Sequence, residues 1–167
     1  TAKEAKLSKL HFQEEGADLN FVDYIVASST TDNNADGLAV VECTGYGIDA
    51  AINSPILINA DLEGLVVTDC LFNTDNANAL AMIQQATGKD LTNCYVARNA
   101  YASLKTAGDI LIDNDTTANN GMVISNRCMH LDTATEVLAD CDGVGQFDNL
   151  GTASVTASGY VLPAIDS

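Results

Sequence analysis

The sequence has few basic and few aromatic side chains. Lys and Arg together number 7, against 23 Asp and Glu, so the formal net charge is −16 over 167 residues. Trp is absent, and Phe, Trp and Tyr together make up 5% of the chain. Because binding to a phosphate backbone depends on cations that displace counterions, we expect no nucleic-acid partner.

Long hydrophobic runs are also lacking. No stretch approaches the roughly 18 apolar residues of a membrane span, and the first residues, TAKEAKLSKL, contain no apolar segment typical of a signal peptide. We therefore expect neither a membrane partner nor secretion. Even so, 47% of the residues are apolar and the mean hydropathy is +0.08, so a chain of this length can bury a core and fold as a globular protein.

Metal-binding and redox spacings are missing. The five cysteines form no CxxC pair, and their odd number argues against a disulfide framework; they are Cys43, Cys70, Cys94, Cys128 and Cys141. The two histidines, His11 and His130, have no nucleophile motif beside them. The sequence predicts buried free thiols made in a reducing cytoplasm, with no metal and no cofactor.

Internal repeats are the informative feature of the chain. Val67-Thr68-Asp69-Cys70 matches Leu91-Thr92-Asn93-Cys94 at an offset of 24, and Val123 to Asn126 continues the series. We predict that Val67, Leu91 and Val123 form one inward stack. A second series, at offsets of 29, 27 and 24, comprises Met82, Leu111, Leu138 and Leu162.

Short segments rich in Val, Ile, Leu and Thr alternate with segments of Asn, Asp, Gly and Ala, which are typical of strands and turns. No segment between them suits a helix long enough to cross a sheet. Repeats of about 20 to 30 residues therefore predict a right-handed parallel β-helix, with a β-sandwich as the alternative. In the β-helix, Asp69, Asn93 and Asn126 are expected to hold corners by hydrogen bonding rather than bind ligand.

The charge divides the chain into two parts. Residues 1–12 carry a local charge of +2, and residues 13–167 carry −18. We predict an N-terminal arm or cap over residues 1–12 and a single β-helix domain over residues 13–167, whose last residues from Gly159 cover the final coil.

The sequence contains only weak signals for a catalytic site or a calcium-binding site. Asp113 and Asp140 follow corresponding strands and are the best carboxylate pair for glycoside hydrolysis, but sugar-stacking aromatics and basic partners are scarce. The segment from Asp140 to Asp148 resembles a calcium loop, yet the Glu expected at position twelve is missing. The sequence therefore predicts a protein that is not an enzyme.

Several segments resemble β-helical virion structural proteins of tailed bacteriophages. They are LEGLVVTDCLFNTDN, KDLTNCYVARN, TTANNGMVISNRCMHLDTA and the ending SGYVLPAIDS, within residues 56–167. The resemblance implies a head-associated protein, and the size favours a decoration or cement protein on the outer capsid surface. The implied partner is the major capsid protein. Because weak copies on a repetitive lattice gain from symmetry and oligomer contacts, we also expect self-association into a dimer or trimer. A receptor- or glycan-binding tail spike or fibre module, with possible glycan-cleaving activity, is the alternative.

Attachment of this acidic body requires a complementary surface. Cations and aliphatic or aromatic residues alternate near the N-terminus, and the predicted partner-binding residues are Lys3, Lys6, Leu7, Lys9, Leu10 and Phe12. The alternative is that Leu10 and Phe12 begin the first strand and the lysines are solvated. A sheet face of the β-helix is the other surface that could adhere to a shell.

Overall fold

The computed structural model describes residues 4–13, 23–28, 35–47, 54–74, 81–103, 109–112, 119–130, 139–152 and 160–161. These residues form strands and turns and contain no helix. The strands are β1 (Lys6–Ser8), β2 (His11–Gln13), β3 (Ile25–Ser28), β4 (Ala39–Val41), β5 (Thr44–Gly47), β6 (Ile56–Asn59), β7 (Leu62–Glu63), β8 (Val66–Thr68), β9 (Leu71–Thr74), β10 (Ala81–Gln85), β11 (Leu91–Thr92), β12 (Cys94–Ala97), β13 (Ala100–Ser103), β14 (Asp109–Ile112), β15 (Gly121–Ile124), β16 (Arg127–His130), β17 (Ala139–Asp140), β18 (Val144–Phe147), β19 (Leu150–Thr152) and β20 (Tyr160–Val161).

The strands assemble into four sheets that the chain visits in turn. Sheet 1 has the order β1-β4-β8-β12-β15-β18, and sheet 2 has the order β2-β5-β9-β13-β16-β19-β20. Sheet 3 has the order β17-β14-β10-β6-β3, and sheet 4 pairs β7 with β11. Consecutive coils stack their equivalent strands in parallel, which confirms the predicted parallel β-helix and excludes the sandwich.

The core is a set of aliphatic and aromatic columns. In sheet 1, Val40, Val67, Val96 and Val123 lie in register and are completely buried. Such stacking follows from the strand spacing of about 4.8 Å, since identical positions in successive coils meet. Sheets 2 and 3 add further buried columns, which include Phe72, Tyr101, Ile56, Ile83 and Leu111.

The predicted stacks are partly wrong in register. Val96 lies between Val67 and Val123, whereas Leu91 pairs with Leu62 in sheet 4. All of these residues are buried, so the sequence match identified core residues but assigned Leu91 to the wrong column.

The second predicted series is displaced by one residue. Leu111 pairs with Ile83, and this register places Met82 beside Ile110. Leu138 and Leu162 lie outside the described residues.

The first and the last strands lie in the regions predicted to be an N-terminal arm or cap and a C-terminal cover. Residues 6–13 form β1 and β2, which pair in parallel with β4 and β5, so they belong to the first coil instead of an arm. At the other end, β20 pairs antiparallel with β19 and covers that edge of sheet 2. An antiparallel partner cannot continue the parallel repeat, as expected of a covered end.

Candidate attachment face

Sheet 1 carries two outward rows of side chains, because strand residues alternate between the two faces. The inward position of each strand belongs to the column that contains Val67 and Val96. The outward rows are Lys6, Ala39, Val66, Tyr95, Met122 and Gly145, and Ser8, Val41, Thr68, Ala97, Ile124 and Phe147. In the second row, the middle residues Thr68 and Ala97 are covered and buried. Neither row contains a carboxylate, although the chain has 23 Asp and Glu.

Apolar side chains are exposed at the C-terminal end of this face. Met122 is 50% exposed and Phe147 is 74% exposed. Register places Tyr95 beside Met122, and Ile124 beside Phe147. We call Tyr95, Met122, Ile124 and Phe147 the apolar patch. Contiguous exposed apolar side chains on a soluble protein mark an interaction surface, and the flexible Met side chain adapts to irregular partners.

A ridge of charged and polar side chains borders the outer face, at the corner between sheets 1 and 2. Its six residues all have left-handed backbone conformations, with φ from 53° to 59°; they are Lys9, Glu42, Asp69, Arg98, Ser125 and Asp148. None is Gly, so each costs on the order of 1 kcal/mol of backbone strain. The fold retains a side chain at every one of these positions.

Neighbouring ridge residues pair with one another along the solenoid axis. Lys9 Nζ lies 3.5 Å from Glu42 Oε2, and Ser125 Oγ donates to Asp148 Oδ2 at 3.0 Å. Arg98 donates two hydrogen bonds to Asp69, at 2.8 and 2.7 Å.

The Asp69–Arg98 pair changes the protonation behaviour of both groups. The Arg98 hydrogen bonds lower the pKa of Asp69, and the same contact raises the pKa of Arg98. Arg98 directly follows β12, the strand that carries Tyr95, so the ion pair adjoins the apolar patch. Charge on this part of the ridge is neutralised locally, which reduces repulsion of an acidic partner.

A buried amide ladder supports the ridge from inside. Asn99, Asn126 and Asn149 follow the corner residues of three coils and are at most 1% exposed. Asn126 Oδ1 accepts from the backbone N of Asn99, and Asn149 Oδ1 accepts from the backbone N of Asn126, each at 2.9 Å. Their Nδ2 groups donate to Val67, Val96 and Val123 carbonyl oxygens. The ladder therefore fixes the corner in three successive coils.

The sequence predicted only part of this ladder. Asn126 holds a corner as expected, whereas Asp69 lies on the exposed ridge and Asn93 lies at a different corner. Asn99 and Asn149 were missed, although each follows a charged ridge residue in the sequence pairs Arg-Asn and Asp-Asn. Those pairs, together with Ser125-Asn126, are the signal that could have identified the ladder.

Cysteines take the place of Asn in the earlier coils. Cys70 Sγ lies 3.5 Å from the Val40 carbonyl oxygen, and Cys43 Sγ lies 3.7 Å from that of Leu7. All five cysteines are buried thiols that form no disulfide, as the sequence predicts. Burial raises the pKa of Cys70 and of Cys94 to about 11, so both remain protonated thiols at neutral pH.

The predicted partner-binding residues occupy both sides of the first coil. Lys6 and Lys9 are exposed, and Leu10 is 42% exposed. In contrast, Leu7 packs against the core, and the Phe12 ring stacks on Tyr24 at 5.5 Å. These residues therefore do not form one surface, because strand alternation sends Leu7 and Phe12 inward. Lys3 lies outside the described residues.

The structure describes only some of the carboxylates considered for catalysis and calcium binding. Asp140 pairs with Ile112, and Asp113 is not among the described residues. Asp142 lies in a turn before β18, and Asp148 lies on the ridge after that strand. Within the described ranges, no group of three or more His, Cys, Asp or Glu side chains is placed to hold a metal ion.

Comparisons with protein-family models, with curated proteins and with solved structures found no match. Among the residues that the structure describes, no helix is long and apolar enough to cross a membrane.

Proposed function

We propose that this protein is a non-enzymatic structural protein of a tailed-phage virion, and specifically a decoration or cement protein on the outer surface of the head. The apolar patch on the outer face of sheet 1 carries the proposal. It supplies an uncharged contact on a chain whose net charge is −16. The partner is the major capsid protein, as the sequence resemblance implies.

The size of the face supports attachment to a repetitive lattice. Six strands spaced about 4.8 Å apart, each contributing about three residues, give a face of roughly 25 by 10 Å. That is well below the roughly 800 Å² per partner of a standard stable interface. One copy therefore binds weakly, and a dimer or trimer that engages two or three lattice sites gains affinity by avidity.

Lys6 connects this face with the N-terminal residues proposed for attachment. It occupies the outward row that contains Tyr95 and Met122, at the opposite end of sheet 1. Lys9 lies on the adjoining ridge. We propose that these cations steer the face toward an acidic shell while the apolar patch supplies the short-range contact.

A capsid co-sedimentation assay tests the attachment face. Met122→Glu and Phe147→Glu place carboxylates in the patch, and we expect each to reduce occupancy on purified capsids at least tenfold. Val26→Glu is the matched control, since Val26 is 52% exposed on sheet 3, and it should bind like the parent.

Different results would refute the attachment face and the decoration function. Full occupancy by both patch variants refutes attachment through sheet 1. Failure of the parent protein to bind any capsid, together with its absence from purified virions, refutes the decoration function itself. If the cations steer binding, Lys6→Ala with Lys9→Ala should weaken the salt dependence of capsid binding.

A further inference from the structure

Sheet 2 presents an exposed aromatic ring in a row of amides. Tyr46 is 41% exposed, and register places it directly between Gln13 and Asn73, which are both exposed. The two amides lie two strand spacings apart, or about 10 Å. The outward positions of the first four sheet 2 strands include no carboxylate; they are His11, Thr44, Leu71 and Ala100, and Gln13, Tyr46, Asn73 and Ala102.

The imidazole of His11 is held beside the Tyr46 ring. Their ring centroids are 5.7 Å apart with an interplanar angle of 55°. His11 Nε2 lies 3.4 Å from Gln13 Oε1, and Nδ1 lies 2.8 Å from Thr44 Oγ1. Because an amide oxygen only accepts, the Nε2–H donates to Gln13, and in the neutral ring Nδ1 accepts from the Thr44 hydroxyl. These bonds fix the orientation of the aromatic pair before any ligand binds.

We infer that this row is a binding site for a neutral saccharide. A pyranose ring stacks its C–H face on Tyr46, while its hydroxyl groups exchange hydrogen bonds with the amides of Gln13 and Asn73. The spacing of the amides suits a disaccharide laid along the solenoid axis. The net charge of −16 disfavours uronates and other anionic sugars.

The site is independent of the attachment face. It lies on sheet 2, across the corner ridge from the apolar patch on sheet 1. A protein attached to a shell through sheet 1 therefore still presents Tyr46 to solvent. The flat face buries less of a ligand than a cleft does, so affinity is weak, with Kd roughly millimolar.

Aromatic ¹H–¹³C NMR during titration tests this inference. The probes are cellobiose, maltose and lactose, with digalacturonate as the anionic comparison. We expect at least one neutral disaccharide to give saturable shifts of the Tyr46 and His11 ring signals, and digalacturonate to give none.

Three variants identify the contact. Tyr46→Ala should weaken saccharide binding at least tenfold, whereas Tyr46→Phe should keep it because the stacking ring remains. Tyr95→Ala removes a partly exposed tyrosine from sheet 1 and should bind saccharide like the parent. Since Tyr46 faces outward, the melting temperature of Tyr46→Ala should match that of the parent.

Three results overturn the inference. The first is the lack of saturable shifts with all three neutral disaccharides. The second is saccharide binding that is unchanged in Tyr46→Ala, and the third is stronger binding of digalacturonate than of the neutral disaccharides. None of these results bears on capsid binding through sheet 1, so this site and the decoration function fail separately.

Discussion

Replacing Asn126 with Ala removes the middle rung of the buried amide ladder. The Asn126 side chain takes part in four hydrogen bonds of 2.9 to 3.0 Å. Truncation leaves the backbone N–H of Asn99, one Asn99 Nδ2 hydrogen and the Val96 carbonyl without these partners. Asn149 Oδ1 keeps its bond from the Asn126 backbone N, because that donor is unaffected.

The cost follows from the groups left unsatisfied. Each buried donor or acceptor without a partner costs about 1–3 kcal/mol, so three of them give roughly 3–9 kcal/mol, with the lower end applying if water enters the space. That is a large part of the roughly 5–15 kcal/mol by which folded domains are stable. Asn99→Ala leaves only the Cys70 N–H and the Val67 carbonyl without their side-chain partner, so we expect about 2–6 kcal/mol.

Urea unfolding followed by circular dichroism measures both variants against the parent. We expect a free energy of unfolding in the order parent, Asn99→Ala, Asn126→Ala, from most to least stable, with similar denaturant slopes. Asn59→Ala is the control, since Asn59 is exposed on β6, and should change stability by less than about 0.5 kcal/mol. A cost below about 1 kcal/mol for Asn126→Ala refutes the proposed energetic role of the ladder.

Three other perturbations test the core, a close backbone approach and the ridge. Leu111→Asp buries an unpaired carboxylate in a fully buried column and should cost several kcal/mol; a melting temperature equal to the parent's contradicts the stacking. Gly121→Ala should destabilise strongly, since its φ is 147° and a Cβ would lie 2.4 Å from a carbonyl oxygen, whereas Gly145→Ala, with its nearest contact at 3.6 Å, should be nearly neutral in the same melting experiment. Because the pKa of Asp69 is lowered in the folded state, its ion pair stabilises the fold above the ordinary value of 3.8 and loses that contribution as pH falls through the lowered pKa. In Arg98→Ala, the pKa of Asp69 measured by carbon NMR titration should lie closer to its ordinary value. A pKa that stays as low as in the parent contradicts the assignment of the shift to Arg98.

The fold class could be predicted because two signals agree along the chain. Short Val, Ile and Thr segments supply strands, and the Asn, Asp and Gly segments between them cannot form crossover helices. The register could not be predicted in the same way. Matching Cys70 with Cys94 aligned similar letters, but the structure aligns Cys70 with Asn99, because the corner residues before them, Asp69 and Arg98, share a backbone conformation.

That shared conformation leaves little trace in the sequence. Left-handed residues are usually recognised as Gly or Asn, yet this corner uses Lys, Glu, Asp, Arg and Ser. If the corner positions are not known, the sequence does not show which residues of a strand face the core and which face solvent. In β15, for example, Met122, Val123 and Ile124 are all apolar. The apolar patch therefore could not be predicted from the sequence. The positive charge of residues 1–12 is evident in the sequence, and it led to the prediction of Lys6 and Lys9 as binding residues.

The buried ladder and the exposed patch are connected through register. A one-residue slip of one coil would replace Asn126 in the ladder with Ser125 or Arg127 and would leave the amide of Asn99 without its acceptor. The same slip would turn Met122 inward, because side chains alternate along a strand. The ladder therefore selects the register in which the patch faces solvent. A small rigid face gains affinity mainly by losing little entropy on binding. If the proposed attachment uses this face, weakening the ladder should therefore also weaken capsid binding, even though no ladder residue is exposed.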